Sequence, residues 1–446
     1  MADGTDSERA AAGAAPEGEA LAPSVKTLAL MAIPALLIGA VSALVLWCLD
    51  RLAEYLQDWL WGSLPSAFGI SPDSPWWIIG MLTVVGLAIG AVVQFVPGHA
   101  GPDSAHAEIG DDEPPLPLHV LPSLLVVVTI SLAGGVSLGP ENPIIAINSA
   151  IAVAALTRFT RIPGKLGMLL ASAATIGALF GTPVAAALVL TGTVATLRMG
   201  GSLWDKLFLP LAAAGTGAVT MHLLGSPAFA FSVEPLETVD FSALAWIIGI
   251  AIASAAAGIL AAWLLPHVHR LFHALKHPIV FTTLGGLVLG LLGAIGGPIT
   301  LFKGLEQTGE LIDDPTAYTA WQLVLIVLIK VFALVVAAAA GFRGGRIFPI
   351  VFIGTAVGVL AMAVFPDAPP AAAIAAGAFG ATLAATKDGW IAIFVGVALV
   401  GDLHVLPLLC IAVLPLWLLV TKAPELVVKR RATAPPTVGS AAPQTS

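Results

Sequence analysis

The sequence predicts an all-α membrane protein, an inverted-repeat bundle with many tilted and half-spanning helices. Composition is the first reason. Of 446 residues, 58% are hydrophobic and only 10% charged, with a mean hydropathy of +0.97, whereas a soluble chain is about 25% charged. The lengths of the apolar runs are the second. Stretches 27–47, 76–96, 118–136, 241–265, 279–296 and 321–340 approach the roughly 20 residues that cross a hydrocarbon core; 143–156, 166–180, 183–197, 349–364, 371–385 and 391–400 are shorter, several too short to cross. Third, two glycine- and proline-rich breaks, Gly139-Pro-Glu-Asn-Pro143 and Gly341-Phe-Arg-Gly-Gly-Arg-Ile-Phe-Pro349, interrupt apolar runs in different halves of the chain. Half-spanning helices persist in a bilayer only where their ends are buried in protein or line a wet cavity. The middle of the bundle is therefore expected to be polar enough for ions.

Along the chain, 1–25 reads as a disordered tail, 26–431 as one membrane domain and 432–446, rich in Ala, Pro, Thr and Ser, as a second disordered tail. No appended soluble domain is expected. The net charge of −8 comes largely from the first tail and the loop 103–113, which read as solvated segments. Lys422, Lys429, Arg430 and Arg431, like Arg270 and Lys276, belong on the cytoplasmic side by the positive-inside bias. Cys48 and Cys410 have no paired spacing and are expected as free thiols, and the N-terminus lacks the pattern of a signal peptide. A weak internal echo joins 116–225 to 320–420: a long span, a break, a short helix, then small residues. Gly177-Ala-Leu-Phe-Gly-Thr-Pro183 compares with Gly380-Ala-Thr-Leu-Ala-Ala-Thr386. Inverted-repeat transporters show such symmetry, although packing alone also favours Gly and Ala on membrane helices.

A helix that starts at mid-membrane leaves free N–H groups and a positive dipole end there, and two aimed at one point make an anion site. The backbone groups expected to serve are those of Gly139, Glu141, Asn142, Gly345, Arg346, Ile347 and Phe348, with glycine where a side chain would keep an ion from the backbone. Glu141 lies inside the first break. Ionised, it would compete with the permeant anion; protonated, it would leave the path open. The plainer alternative is a helix-start glutamate stabilised by the dipole, worth roughly 0.3–1 kcal/mol at a surface; apolar flanks favour the gate. Arg343 and Arg346 either draw anions to the pore or snorkel or pair with a carboxylate such as Asp388. Asp103 either caps a short helix from Ser104 and faces away or admits cations to the route. His269, His273 and His277 have a helical spacing that can hold a metal, but no carboxylate or cysteine lies nearby in the chain, so no metal is expected. Nor is any cofactor, nucleic acid or enzymatic activity, since HExxH and paired-carboxylate spacings are absent.

These residues resemble the CLC family of chloride channels and proton-coupled anion exchangers over about 26–431. Ser137-Leu-Gly-Pro-Glu-Asn-Pro143 is similar to the family's G-R/K-E-G-P break, which places Glu141 at its gating glutamate. Gly344-Gly-Arg-Ile-Phe-Pro349 is similar to G-G-x-F-x-P, and Gly177 to Pro183 matches the stretch before the inner-glutamate helix. Within the family the nearest likeness is to a bacterial branch described as ion-channel proteins, which shares Gly98-His-Ala-Gly-Pro-Asp103 and the second break. Three departures stand beside the matches. The family's G-S-G-I-P reads Gly101-Pro-Asp-Ser-Ala105, so its anion-binding serine falls on Pro102, with Ser104 two residues on. Its late tyrosine has no counterpart, since the tyrosines are Tyr55 and Tyr318. Its inner glutamate falls in Leu190-Thr-Gly-Thr-Val194, where no carboxylate stands.

The resemblance implies a bundle of the CLC kind, a homodimer in a bacterial inner membrane, and transport of a small inorganic anion, chloride or another halide, channel-like or weakly coupled. It also implies a structural or vestibule place for Lys330. The alternative is a proton-coupled antiporter, with fluoride as one candidate anion.

Overall fold

The computed structural model describes residues 25–106, 114–159, 164–196, 202–225 and 229–429. Apart from Val25, the tails expected at 1–25 and 432–446 lie outside the described residues, as do 107–113 of the acidic loop. The described chain is helical, and its isolated β-bridge, Gly139 with Gly345, joins the two breaks.

The first half begins with α1 (Val25–Asp58), which runs through a π turn into α2 (Leu64–Ala67), followed by α3 (Pro75–Phe95), α4 (Leu121–Ala133), α5 (Glu141–Phe159), α6 (Gly164–Phe180), α7 (Pro183–Thr196) and α8 (Leu203–Leu223). The second contains α9 (Phe241–His273), α10 (Pro278–Gly296), α11 (Leu305–Asp313), α12 (Ala320–Ala339), α13 (Ile347–Val364), α14 (Pro370–Thr386), α15 (Gly389–Val400) and α16 (Val405–Val420). Local chemistry sets the ends. Proline opens α3, α10 and α14, where its missing N–H is harmless. Ser202 with Asp205 and Thr319 with Gln322 form capping boxes for α8 and α12, and Asp388 caps α15 by accepting from the amides of Trp390 and Ile391.

Among the described residues, six stretches are long and apolar enough to cross a bilayer: Ala29–Ala67, Pro75–Phe95, Phe241–His273, Pro278–Gly296, Ala320–Ala339 and Ile347–Val364. Two of the sequence expectations change places. The stretch 118–136 is cut to a 13-residue α4 by a 3-10 turn before it and by Gly134 and Gly135 after it, with Gly135 at φ +88°. The stretch 349–364, grouped with the shorter pieces, gains two residues because α13 starts at Ile347, directly after the break, and so reaches 18 residues. The 21-residue α8 escapes the hydropathy pattern because Pro210, Gly215, Thr216, Gly217 and His222 dilute its apolar signal.

Packing repeats between the halves. α6 lies against α1, α5, α7 and α8, and α14 lies against α9, α13, α15 and α16. Small residues make these approaches possible, as they do where helices associate without a hydrophobic driving force. A Cβ on Gly177 would overlap the Ala214 backbone of α8, and one on Gly380 the Ala251 backbone of α9. The two glycines compared in the sequence thus serve the same purpose against different partners. α3 and α10 join the halves through Gly86, Gly90, Gly286 and Gly290, each without room for a side chain. α12 and α13, with 72% of their apolar windows buried against 28–44% for the other four long spans, are central, and the second break lies between them.

Candidate functional site

The breaks meet back to back. Gly139 N–H donates to Gly345 O at 2.9 Å and Gly345 N–H to Gly139 O at 2.6 Å, so those two amides are engaged with each other. α5 starts at Glu141 and α13 at Ile347, immediately beyond this rung. Asn142 is half-buried in the first turn of α5, and Ile347 is buried at the start of α13. Glu141 has no exposed surface. Its Oε1 accepts from the Phe348 amide at 2.8 Å, while its Oε2, also buried, has no hydrogen-bond partner among the described residues. One carboxylate thus belongs to the first turn of α5 by sequence and to that of α13 by hydrogen bond, an acceptor at two positive helix ends. A side chain at Gly139 or Gly345 would overlap that carboxylate. Here glycine is required by the space the acid occupies.

Arg343, Ser104 and the loop after α3 hold the second break from behind. The Ser104 hydroxyl, buried, donates to Phe342 O and accepts from the Gly344 amide, each at 2.7 Å. The buried guanidinium of Arg343 donates to Ala100 O at 3.1 Å, Gly341 O at 2.6 Å and His99 O at 3.4 Å, so Arg343 staples the loop to the break. Half-buried Arg346 reaches Ala105 O at 3.5 Å. Asp103 accepts from the Ala105 amide at 3.1 Å, capping the turn at 104–106. Burial raises its pKa, but the His269 and His273 imidazoles beside it, the charge of Arg343 and the Ala105 amide outweigh this and hold the carboxyl well below the usual range.

On the other side of Glu141, Lys330 is fully buried and donates to the carbonyls of Thr300, Leu301 and Phe302 at 3.1, 2.9 and 2.8 Å, with its ammonium 4.9 Å from the Phe352 ring centre. It thereby shapes the turn before α11. That turn is tied to the first break's approach by Phe302 N–H donating to Gly135 O at 3.1 Å, and it carries Lys303, 3.8 Å from Asp50. Lys303 and Arg346 are the positive charges acting on Glu141. A small cleft lined by Asp50, Leu132, Phe302, Lys303 and Gln307 opens at Lys303. The Phe348 ring packs against Phe180 and Phe229, at 6.3 and 5.8 Å between centres, and Phe180 against Phe394 at 5.5 Å.

Lys303 and this aromatic group are absent from the sequence reading. Gly296-Gly-Pro298, a third glycine–proline break just ahead of Lys303, is the clue that could have found the lysine; nothing local marks the phenylalanines. The departures noted in the sequence have a structural setting too. Thr191 bonds back to Ala187 O on α7, and the segment after α16 returns to the Ser104 loop, where Val428 N–H donates to Ala105 O at 2.8 Å.

Comparison with known proteins agrees with this architecture. Residues 81–415 match the family described as Voltage gated chloride channel. A protein of Escherichia coli O1:K1 / APEC named "Putative ion-transport protein YfeO" is 44% identical over 425 residues, covering 93% of this chain and 99% of the relative. Among solved structures, a CLC-type fluoride/proton antiporter superposes with a TM-score of 0.72 at 20% identity, covering 91% of this chain and 98% of its own. A slow cyanobacterial Cl−/H+ antiporter gives 0.74 at 18% identity, covering 88% and 95%. The fold is therefore the inverted-repeat helical bundle of CLC transporters.

Proposed function

The chain belongs to the voltage gated chloride channel family, and on that premise we propose that this multi-pass membrane protein passes a small inorganic anion, chloride or another halide, in a channel-like or weakly coupled manner with Glu141 as its gate. The single observation that carries the reading is the buried carboxylate seated on the Phe348 amide at the two helix starts. A group that accepts there occupies what a desolvated halide needs: backbone donors without a fixed cation, strong enough for entry and weak enough for exit. Protonation removes the negative charge that competes for the seat and frees the side chain to leave it. Lys303 and Arg346 would raise the local anion concentration. Weak coupling is supported by Leu190-Thr-Gly-Thr-Val194 on α7, which offers no second carboxylate to carry protons onward. Two copies per assembly, and a bacterial inner membrane as the location, belong to the same proposal.

The names of the two structural neighbours motivate the second reading, antiport of a halide, fluoride included, against protons. Reconstitution into liposomes with chloride, fluoride and proton electrodes read together separates the two. Anion efflux with proton movement far below it is expected. Protons tracking the anion in fixed ratio would replace the first reading by the second, and silence on every anion would end both. Gly345→Ala adds an independent check, because its methyl group takes the space of the carboxylate. Neutral-pH flux should rise several-fold with the elution profile unchanged; an unaltered flux and pH profile would mean that the acid does not sit there when the protein works.

A further inference from the structure

We propose that Asp103, His106 and His269 form a binding site for one zinc-class divalent transition-metal ion, separate from the anion seat. The sequence argument against a metal was that His269 and His273 had no carboxylate within reach. The fold supplies one, bringing Asp103 and His106 of the loop after α3 onto the last two turns of α9. A carboxylate oxygen of Asp103 and one ring nitrogen each of His106 and His269 all lie within 4.8 Å of one another.

Three features point to an ion rather than to simple acid–imidazole pairing. His269 is 9% exposed, and its Nε2 has no hydrogen-bond partner among the described residues although it faces the Asp103 carboxylate. The gaps from Asp103 Oδ2 to His269 Nε2 and His273 Nε2 are 3.5 and 3.4 Å, beyond the roughly 2.7–3.2 Å of an N–H···O bond. They match the edge of a tetrahedron of metal–ligand bonds near 2.1 Å, which is about 3.4 Å. Finally, the outer nitrogens are already fixed. His106 Nδ1 meets Val428 O and His273 Nδ1 meets His269 O at 3.1 Å, the arrangement in which a ligating histidine gives its other N–H to a carbonyl and turns a lone pair on Nε2 inward. The fourth position falls to His273 or to water. Mixed imidazole and carboxylate ligands suit Zn2+ and its first-row neighbours over Mg2+ or Ca2+. An ion held there would pin the loop to α9 and, through His106 and Val428, to the segment after α16. The residue following Asp103 is Ser104, which holds the second break, so the ion would stiffen the support of the anion seat from a distance.

The test uses full-length purified protein, stripped with chelator and freed of any affinity tag, titrated with Zn2+ against a chromophoric competitor and with Co2+ by visible absorption. One equivalent per chain is expected, with the intense bands of tetrahedral Co2+ and a raised melting temperature. His106→Gln and His269→Gln should each weaken binding tenfold or more, while His267→Gln and His277→Gln, outside the cluster, should keep the wild-type affinity. If His269→Gln is not monodisperse, the half-exposed His106→Gln decides. No stoichiometric binding by the wild type, or equal binding by wild type and His106→Gln, would overturn the assignment.

Discussion

Glu141→Gln is expected to give anion flux that is constant with pH, at or above the rate the wild type reaches on acidification. The glutamine keeps the shape of the side chain but removes the charge. A hydrogen bond from an amide to a charged acceptor is worth about 1.5–3 kcal/mol, and each 1.4 kcal/mol is a factor of ten in occupancy. Neutralising the carboxyl that accepts from Phe348 should thus raise access to the seat at neutral pH by about tenfold to a hundredfold. The sign follows from the competition: in the wild type, acidification protonates the acid, so flux should rise as pH falls. Glu141→Ala, which empties the seat altogether, should behave likewise. Liposome efflux at a series of pH values checks this, and a variant that keeps the wild-type pH profile would sink the gating role. Were Glu141 only a helix-start residue, its loss would lower stability slightly and leave the profile alone.

Lys330→Met is expected to have the largest effect on stability. The ammonium satisfies three carbonyls of one turn, two of the bonds buried and the one to Phe302 part-buried. Methionine fills much of the volume but leaves these acceptors orphaned, at about 1–3 kcal/mol each before relaxation; a loss of roughly 3 kcal/mol or more is the conservative figure. The thermal aggregation midpoint in detergent should fall sharply, and the surviving protein should transport poorly because the turn also presents Lys303. Lys330→Gln, which keeps two donors, should recover part of the midpoint. An unchanged midpoint for the methionine variant would mean that the carbonyls find other partners and that the lysine serves something else.

The helical class, the two breaks and Glu141 were legible in the sequence because each is a local property: apolar run length, glycine beside proline, an acid within an apolar stretch. Length at the margin was less secure. Two glycines shortened α4 and two extra residues lengthened α13, and each shift of a few residues decides whether a helix can cross. What could not be read is who meets whom. The amides of Gly139 and Gly345 look equivalent to those of Asn142 and Ile347 along the chain, yet they bond to each other. Ser104, considered for its hydroxyl, bonds to Phe342 and Gly344 across more than half the chain. Arg343 and Arg346 share one sequence motif, but the first is anchored on three carbonyls and the second is half-exposed. Asp103 looks like an isolated charge along the chain because its neighbours His269 and His273 come from a helix far along the sequence.

The rung and the Glu141–Phe348 bond join residues about 207 positions apart, which has a bearing on biogenesis. Closing so long a loop is entropically costly and must await contacts in between. Until α13 is made and docked, the Glu141 carboxylate lacks the Phe348 amide from which it accepts. On the proposed function, the anion seat would accordingly be a late product of assembly, completed when α13 docks, and a nascent chain arrested before that point would lack it.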